Sequence, residues 1–266
     1  MQFPNIDPTA FIIFGFEIKW YGISYAFSLF LALYFCKFLA KKNKILNSNT
    51  FEDILIWSAI GIIIGGRLGY ILFYDLNYYI NNLSQIFLGI RKGGMSFHGG
   101  IIGVTLSCYI YSKIKKIKFL PLMDIISCSA PIGLFFGRLA NFVNSELWGK
   151  QTNFFLGIVF PNGGPLPRHP SQIYEAILEG LLLFIIVNLF YNKKYFISGY
   201  TACIFLIFYS IFRIIAEFFR EPDSHIGYII EPYISMGTIL CLPMLFTGIV
   251  VLFLNVKNYR NIKKKY

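Results

Sequence analysis

The sequence predicts an all-α integral membrane protein built from about seven transmembrane helices. Of its 266 residues, 56% are hydrophobic and only 14% are charged. A soluble domain carries about 25% charged residues, so this composition favours a membrane protein. Apolar runs of roughly 20 residues, the length that crosses a bilayer as a helix, recur along the whole chain. Clusters of lysine alternate with these runs, as they do when a chain crosses a membrane repeatedly.

The apolar runs define seven predicted spans within a single membrane domain that covers residues 1–266. In chain order they lie at about residues 20–40, 54–74, 97–112, 120–137, 173–191, 199–219 and 233–254. The third is short and rich in glycine. Residues 144–170 are predicted to form a small outer loop or arm. The N-terminus lacks the basic region and small-residue cleavage site of a signal peptide, so we expect the first span to act as the insertion signal.

Lysine distribution sets the predicted topology. Basic clusters follow the first, third, fifth and seventh spans; they are Lys37, Lys41, Lys42 and Lys44, then Lys113, Lys115, Lys116 and Lys118, then Lys193 and Lys194, then Lys257, Arg260, Lys263, Lys264 and Lys265. All of them fall on one side if the chain crosses seven times. By the positive-inside rule, the N-terminus is predicted outside and the C-terminus in the cytoplasm. The net charge of +11 therefore reflects topology, and no nucleic-acid partner is predicted.

The arginines follow the opposite distribution. Six of the seven are predicted on the outer side or in the outer half of the membrane, namely Arg67, Arg91, Arg138, Arg168, Arg213 and Arg220. A guanidinium group presents a rigid fork of donors that suits phosphate and carboxylate. This asymmetry predicts an anionic ligand that approaches from the outer leaflet.

The stretch "GRLANFVNSELWG" carries polar groups directly after an apolar run. Arg138, Asn141 and Ser145 share one face if the helix continues that far, and Asn144 and Glu146 belong to the same stretch. Polar and charged groups are costly at membrane depth, so they indicate a polar-ligand site. A helix end capped by polar side chains is the alternative.

Two further spans carry ionisable residues near their outer ends. Arg213, Glu217 and Arg220 share a face at i, i+4 and i+7, and they mark either a functional site or a structural ion pair. Arg67 shares a face with Tyr70 and Tyr74 at the end of the second span. The glycines beside it would let another backbone or a lipid approach closely; they are Gly65, Gly66 and Gly69.

Histidine and tyrosine add candidates at the outer boundary. His98 begins the third span, and the glycines around it open the backbone; they are Gly93, Gly94, Gly99 and Gly100. His98 is either a catalytic or ligand-binding group or a structural hydrogen-bonding one. Tyr21 opens the first span as a site residue or as part of the interfacial aromatic belt, and His169 is interpreted as the organiser of a turn. The cysteines all lie inside predicted spans without CxxC spacing, so neither a metal nor a cofactor is predicted.

These motifs together resemble the bacterial prolipoprotein diacylglyceryl transferases. The resemblance rests on "GRLANFVNSELWG", "GGMSFHGG", "RHPSQIYE" and "FRIIAEFFREPD" followed by "ISMG", and it covers nearly the whole chain. Ala140 is a departure, since the family usually has glycine there. The resemblance implies an enzyme of the bacterial cytoplasmic membrane whose partners are phosphatidylglycerol and the lipobox cysteine of a prolipoprotein.

The resemblance also implies roles for individual residues. The catalytic set would be His98, Arg138, Arg213 and Tyr21, and the substrate-binding set would be Arg138, Asn141, Asn144, Glu146, Gly149, Arg67, Glu217 and Arg220. Because a thioether forms, the substrate thiol must lose its proton, and either His98 or the positive field of the arginines could promote that loss. A lipid or anion transporter lined by arginines is the alternative function. Such a path should carry polar groups at both membrane faces, whereas here they are concentrated at the outer one.

Overall fold

The protein is described by a computed structural model that covers residues 1–4, 6–44, 46–89, 94–192, 197–222, 227–231 and 234–265. Several residues used as signals in the sequence lie outside these ranges: Arg91, Lys92, Gly93, Lys193 and Lys194. The predicted first residue of the seventh span, at position 233, lies outside them as well.

Helices account for most of the described residues. They are α1 (Trp20–Asn43), α2 (Thr50–Tyr74), α3 (Leu76–Asn81), α4 (Gln85–Leu88), α5 (Phe97–Ile114), α6 (Phe119–Val143), α7 (Ser171–Glu175), a π-helix (Ala176–Leu182), α8 (Leu183–Tyr191), α9 (Tyr200–Glu217) and α10 (Met236–Lys265). The π-helix joins α7 and α8 without a break, so the three form one continuous helical segment.

Six helical segments in the described part of the chain are long and apolar enough to cross a membrane. They are Trp20–Asn43, Thr50–Tyr74, Phe119–Val143, Ser171–Tyr191, Tyr200–Glu217 and Met236–Asn261. Each coincides with one of the predicted spans. The third predicted span does form a helix, α5, but its glycines and polar side chains keep it outside this group. The protein is therefore a mostly helical, multi-pass membrane protein, and a seventh crossing stays a prediction.

Two short antiparallel hairpins accompany the helices, and the all-helical prediction did not include them. Strands β1 (Thr9–Ile13) and β2 (Phe16–Lys19) form one, and β3 (Tyr228–Ile230) and β4 (Ile234–Ser235) form the other. The first hairpin turns at Phe14 and Gly15, with φ of 48° and 82°. A two-residue turn with positive φ at both positions matches the twist of the strands. Asn-Gly and Asp-Gly are the usual sequence signals of such a turn, so the dipeptide Phe-Gly did not predict it.

The chain divides into two compact units. The first unit consists of Met1–Cys36 and Asp124–Tyr266, and the second unit is Lys37–Met123. The prediction of one membrane domain over residues 1–266 stays a prediction.

In the second unit, α2 and α5 pack backbone against backbone. A Cβ atom on Gly65 would collide with the backbone of Gly99 and Gly103, and one on Gly61 would lie 2.6 Å from the carbonyl oxygen of Gly103. On α2, Gly61, Gly65 and Gly69 recur every four residues and so form one face of the helix. The sequence predicted that the glycines of the second span allow close approach of either another backbone or a lipid. In the structure they allow the close approach of the α5 backbone.

In the first unit, a buried carboxylate fixes the start of α9. Asp124 of α6 is fully buried, and it accepts hydrogen bonds from the backbone N–H groups of Gly199 (2.6 Å) and Ala202 (3.0 Å). These amides have no partner within their own helix, and the positive end of the helix dipole favours an anion there. Asp124 therefore anchors α9 at the end opposite to Arg213 and Glu217.

Candidate active site

Six ionisable side chains meet inside the first unit, and we call them the arginine cluster. They are Arg138 of α6, Glu175 of α7, Glu179 of the π-helix, Arg213 and Glu217 of α9, and Arg220, which follows α9. All three carboxylates are buried, and none of the arginine side chains is more than 13% exposed. Four segments of chain therefore supply one buried cluster of alternating charge.

Glu175 is the centre of the arginine cluster. Its Oε2 atom lies 2.8 Å from Nη2 of Arg138, 2.7 Å from Nη1 of Arg213 and 4.0 Å from Nη1 of Arg220. Its other oxygen, Oε1, is buried and has no hydrogen-bond partner among the described residues. Three guanidinium groups therefore converge on a single oxygen atom. The positive charges of Arg138, Arg213 and Arg220 are therefore concentrated around Glu175.

The other two carboxylates lie on either side of Arg213. Glu179 contacts Arg138 at 3.2 Å through Oε2 and Arg213 at 3.5 Å through Oε1. Glu217 lies 2.5 Å from Nη2 of Arg213 and accepts a hydrogen bond from Ser235 Oγ at 2.8 Å. Charge-assisted contacts of this kind fix the orientation of a guanidinium plane. Arg213 is therefore held on both edges.

In the sequence, Glu175 was included only as the last residue of the motif "RHPSQIYE", and Glu179 was not predicted as a site residue. Two acidic residues spaced i and i+4 within the apolar stretch "YEAILEGLLLF" were the available signal, because an ionisable group at membrane depth is a functional candidate by default. The π-helix that carries Glu179 could not be predicted in the same way. Such segments are often found at functional sites. Gly180 lies within it, where a Cβ atom would come 2.7 Å from Phe135 of α6.

The stretch after Arg138 leaves the helix earlier than the predicted shared face required. Helix α6 ends at Val143, and Ser145 has a φ of 53°, so the condition under which Ser145 would share the helical face of Arg138 and Asn141 is not met. The chain instead turns back on itself. Asn141 donates a hydrogen bond to Oε1 of Glu146 at 2.7 Å, and Asn144 reaches the same oxygen at 3.5 Å.

Gly149 lies where three backbone segments meet. It pairs with Arg220 in an isolated β-bridge, and its N–H donates to the carbonyl oxygen of His169 at 2.8 Å. A Cβ atom there would collide with the carbonyl oxygen of Phe219 and would lie 2.7 Å from Cβ of His169. Only glycine fits this position, and it fixes the backbone that carries Arg220.

Arg168 and His169 bind the outer loop together. The Arg168 guanidinium donates to the carbonyl oxygens of Gly163 (2.6 Å) and Gly149 (3.2 Å) and stands over the Trp148 ring. The imidazole of His169 is within 3.2 Å of the Tyr174 hydroxyl. Burial, and secondarily the positive charge of Lys150, lower the pKa of His169 below its ordinary value. His169 is therefore neutral at pH 7 and suited to a structural hydrogen bond.

Tyr21 lies in the first unit near the start of α1. Its ring centroid is 4.8 Å from that of Tyr25, and the two hydroxyl groups are 3.2 Å apart. A Cβ atom on Gly137 would come 3.6 Å from the Tyr25 hydroxyl, so this tyrosine pair reaches the turn of α6 that also carries Arg138.

His98 and Arg67 belong to the second unit. His98 is buried in the first turn of α5, which begins after the N-cap residue Ser96. Arg67 is buried, and it donates to the carbonyl oxygens of Gln85 (2.8 Å), Ile86 (3.1 Å) and Gly94 (3.3 Å). These contacts join Arg67 to α4 and to Gly94, which precedes α5. Substrate binding by Arg67 stays a prediction.

The described residues contain no group of three or more histidine, cysteine, aspartate or glutamate side chains that could hold a metal ion. All five cysteines are buried and none of them forms a disulfide bond, in agreement with the interpretation that they are small apolar residues of the spans.

Comparison with known proteins agrees with the motif analysis. A family model described as "Prolipoprotein diacylglyceryl transferase" matches residues 8–254. Proteins named phosphatidylglycerol–prolipoprotein diacylglyceryl transferase are similar over almost their whole length. One from Idiomarina loihiensis is 44% identical over 252 residues, which cover 94% of each chain. One from Rickettsia felis is 46% identical over 251 residues, 93% of this chain and 96% of the relative. One from Brucella anthropi is 41% identical over 258 residues, 94% of this chain and 92% of the relative.

Proposed function

The chain belongs to the prolipoprotein diacylglyceryl transferase family, and from this premise we propose that it transfers the diacylglyceryl group of phosphatidylglycerol to the lipobox cysteine of a prolipoprotein. The products are a thioether-linked diacylglyceryl prolipoprotein and glycerol 1-phosphate. The observation that carries the proposal is the convergence of three guanidinium groups on one buried oxygen of Glu175. The names of the relatives favour this transferase over a lipid or anion transporter.

The chemistry explains why buried arginines are needed. The thiol sulfur attacks the glycerol carbon, a carbon–oxygen bond breaks, and the phosphate departs with the second glycerol. The headgroup phosphodiester carries one negative charge, whereas the departing phosphomonoester approaches two. Groups that bind the developing charge more tightly than the starting charge lower the barrier. Arg138 and Arg213 are proposed to fill this role, and Arg220 to support the same anion.

The remaining site residues are proposed to bind and orient the substrates. Asn141, Asn144 and Glu146 form a polar turn next to Arg138, which suits the hydroxyl groups of a glycerol headgroup. Gly149 fixes the backbone of Arg220, and Glu217 orients Arg213. Gly149 and Glu217 are thus proposed to contribute to the reaction through the position of the arginines.

The substrate thiol requires help to ionise, because its pKa near 8.5 leaves it only a few per cent ionised at neutral pH. His98 is the proposed proton acceptor, and Tyr21, at the outer start of α1, is proposed as a further catalytic residue. Activation of the thiol by the arginines alone is the alternative. Arg67 is proposed as a substrate contact from the second span.

The reaction is expected in vesicles that contain purified protein, phosphatidylglycerol and a synthetic lipobox peptide. The peptide should gain the mass of a diacylglyceryl group, and glycerol 1-phosphate should be released in equal amount. Vesicles without phosphatidylglycerol and a peptide with serine in place of cysteine serve as controls. Absence of peptide modification in the complete mixture would contradict the proposed transfer.

We also propose seven membrane crossings, with the N-terminus outside and the C-terminus in the cytoplasm of a bacterium, in its cytoplasmic membrane. In a cysteine-free background, single cysteines at Lys42 and Lys116 should be protected from a membrane-impermeant maleimide added to intact spheroplasts. Both residues follow odd-numbered spans and belong to the lysine clusters. Asn153 is exposed in the outer loop, so a cysteine there should react. Labelling at Lys42 or Lys116 from outside would contradict this topology.

A further inference from the structure

The arginine cluster carries no net charge when all six of its groups are ionised. Its three guanidinium groups face three carboxylates, all within a region where no carboxylate is more than 6% exposed. A phosphodiester headgroup adds a negative charge to that region. A buried charge without a partner is strongly disfavoured, because its lost hydration is not replaced. Entry of the headgroup should therefore be coupled to the neutralisation of one carboxylate.

The contacts distinguish the three carboxylates from one another. Glu175 is held by two contacts of 2.8 and 2.7 Å, and Glu217 by one of 2.5 Å and a hydroxyl at 2.8 Å. Among the described residues, the ion-pair contacts of Glu179 are those of 3.2 and 3.5 Å. Glu179 is also fully buried and follows Glu175 by four residues, a spacing at which like charges repel. The carboxylate with the weakest partners is therefore Glu179.

Other groups around Glu179 are less suited to take up a proton. Arg138 faces it from α6, Arg213 and Tyr209 face it from α9, and Cys241 faces it from α10. Arginine holds its proton at all physiological pH values, and phenols and thiols are ordinarily protonated already at pH 7. Among these side chains, only a carboxylate can gain a proton when negative charge arrives.

We propose that Glu179 takes up one proton when the anionic headgroup of phosphatidylglycerol enters the arginine cluster. The carboxylate becomes a neutral carboxylic acid, no other bond changes, and the contacts of Arg138 and Arg213 to Glu179 are released for the phosphate. Glu175 stays ionised and keeps the guanidinium groups together. Glu179 is thus a positioning residue that acts through the arginines. The inference rests on the proposed function, since it requires the phosphate to bind in this cluster.

The test is the pH dependence of phosphatidylglycerol binding in the absence of peptide. Purified protein in phosphatidylcholine nanodiscs is titrated with short-chain phosphatidylglycerol. Where the unliganded Glu179 is ionised, Kd should rise about tenfold for each pH unit, because binding must draw a proton from solution. At lower pH, where Glu179 is already protonated, Kd should become constant. Phosphatidylcholine, whose headgroup has no net charge, should show no such slope.

Two variants separate Glu179 from the rest of the cluster. Glu179→Gln imitates the protonated acid in shape and charge, so it should bind phosphatidylglycerol with a Kd that no longer depends on pH. Glu217→Asp is the matched control, because it alters another buried carboxylate of the same cluster without removing its charge, and it should retain the slope. An unchanged slope in Glu179→Gln would overturn the inference.

A measurement on the unaltered protein covers the case in which Glu179→Gln does not fold. Binding heats are measured at alkaline pH, where Glu179 is ionised, in two buffers of different ionisation enthalpy. They give the number of protons taken up, which should be close to one per lipid bound. A value of zero would overturn the inference. If that protein still modifies the lipobox peptide, the proposed function stands and only the role of Glu179 is lost. If phosphatidylglycerol neither binds nor reacts, both are lost.

Discussion

Replacement of Arg138 by alanine should lower kcat/KM by about 10²–10³, since the loss of one preorganised donor to a developing oxyanion commonly costs this much. The change also removes the partner that Glu175 and Glu179 share at 2.8 and 3.2 Å. Lysine at this position should rescue little, because one ammonium group cannot replace a planar fork of donors. The measurement is single-turnover transfer to a lipobox peptide by purified variants.

A loss of activity must be separated from a loss of folding. Removal of one partner from a buried ion pair typically costs about 3–5 kcal/mol, so Arg138→Ala should also unfold at a lower temperature. The double variant Arg138→Ala with Glu179→Gln removes the surplus buried charge, and it should regain stability without regaining activity. The control is Lys150→Ala, because Lys150 is a basic residue outside the cluster, where it stands over the Tyr228 ring. Turnover within tenfold of the unaltered protein in Arg138→Ala would reduce Arg138 to a structural role.

Replacement of His98 by glutamine should lower transfer by about 10²–10⁴ at neutral pH if His98 is the general base. Glutamine keeps a hydrogen-bonding side chain but cannot accept the thiol proton. Raising the pH should then recover much of the activity, because the substrate thiol ionises without help as the pH approaches its own pKa. The pH–rate profiles of the two proteins provide the measurement.

The competing mechanism predicts a different set of profiles. If the arginines alone activate the thiol, His98→Gln should cause a modest loss with an unchanged profile, and substitutions of Arg138 or Arg213 should raise the apparent pKa of the thiol. His169→Gln changes a histidine that has no reacting role, and it should leave the shape of the profile unaltered. An unchanged profile in His98→Gln would exclude His98 as the base.

Local sequence properties were sufficient to predict most of the helices. Six of the predicted spans coincide with membrane-length helices, because hydropathy over about 20 residues depends on nothing beyond the segment itself. The glycines of α2 were also interpreted from their own segment, as positions where another backbone or a lipid could approach the helix closely. Helix α5 is the harder case, since its glycines serve the contact with α2 and reduce the apolar character by which a span is identified.

The composition of the site was only partly predictable. Arg138, Arg213, Glu217 and Arg220 could be found because each stands out within its own segment. The central position of Glu175 could not, since its partners are 38 residues away in Arg213 and in α6, and a single sequence does not indicate which distant segments meet. The position of Ser145 could not be decided for a related reason: nothing in the periodicity showed that α6 ends at Val143.

The buried charges of α6 impose an order on the biosynthesis of this protein. When α6 leaves the ribosome, Arg138 is still 41 residues ahead of Glu179, and Asp124 is 75 residues ahead of Gly199, whose amide it binds. Until those segments are synthesised, α6 would carry an uncompensated cation and an uncompensated anion into lipid, which is costly. Insertion of helix α6 alone is therefore disfavoured. We expect α6 to be stabilised in the bilayer when the segments from α7 to α9 arrive and supply partners for both charges.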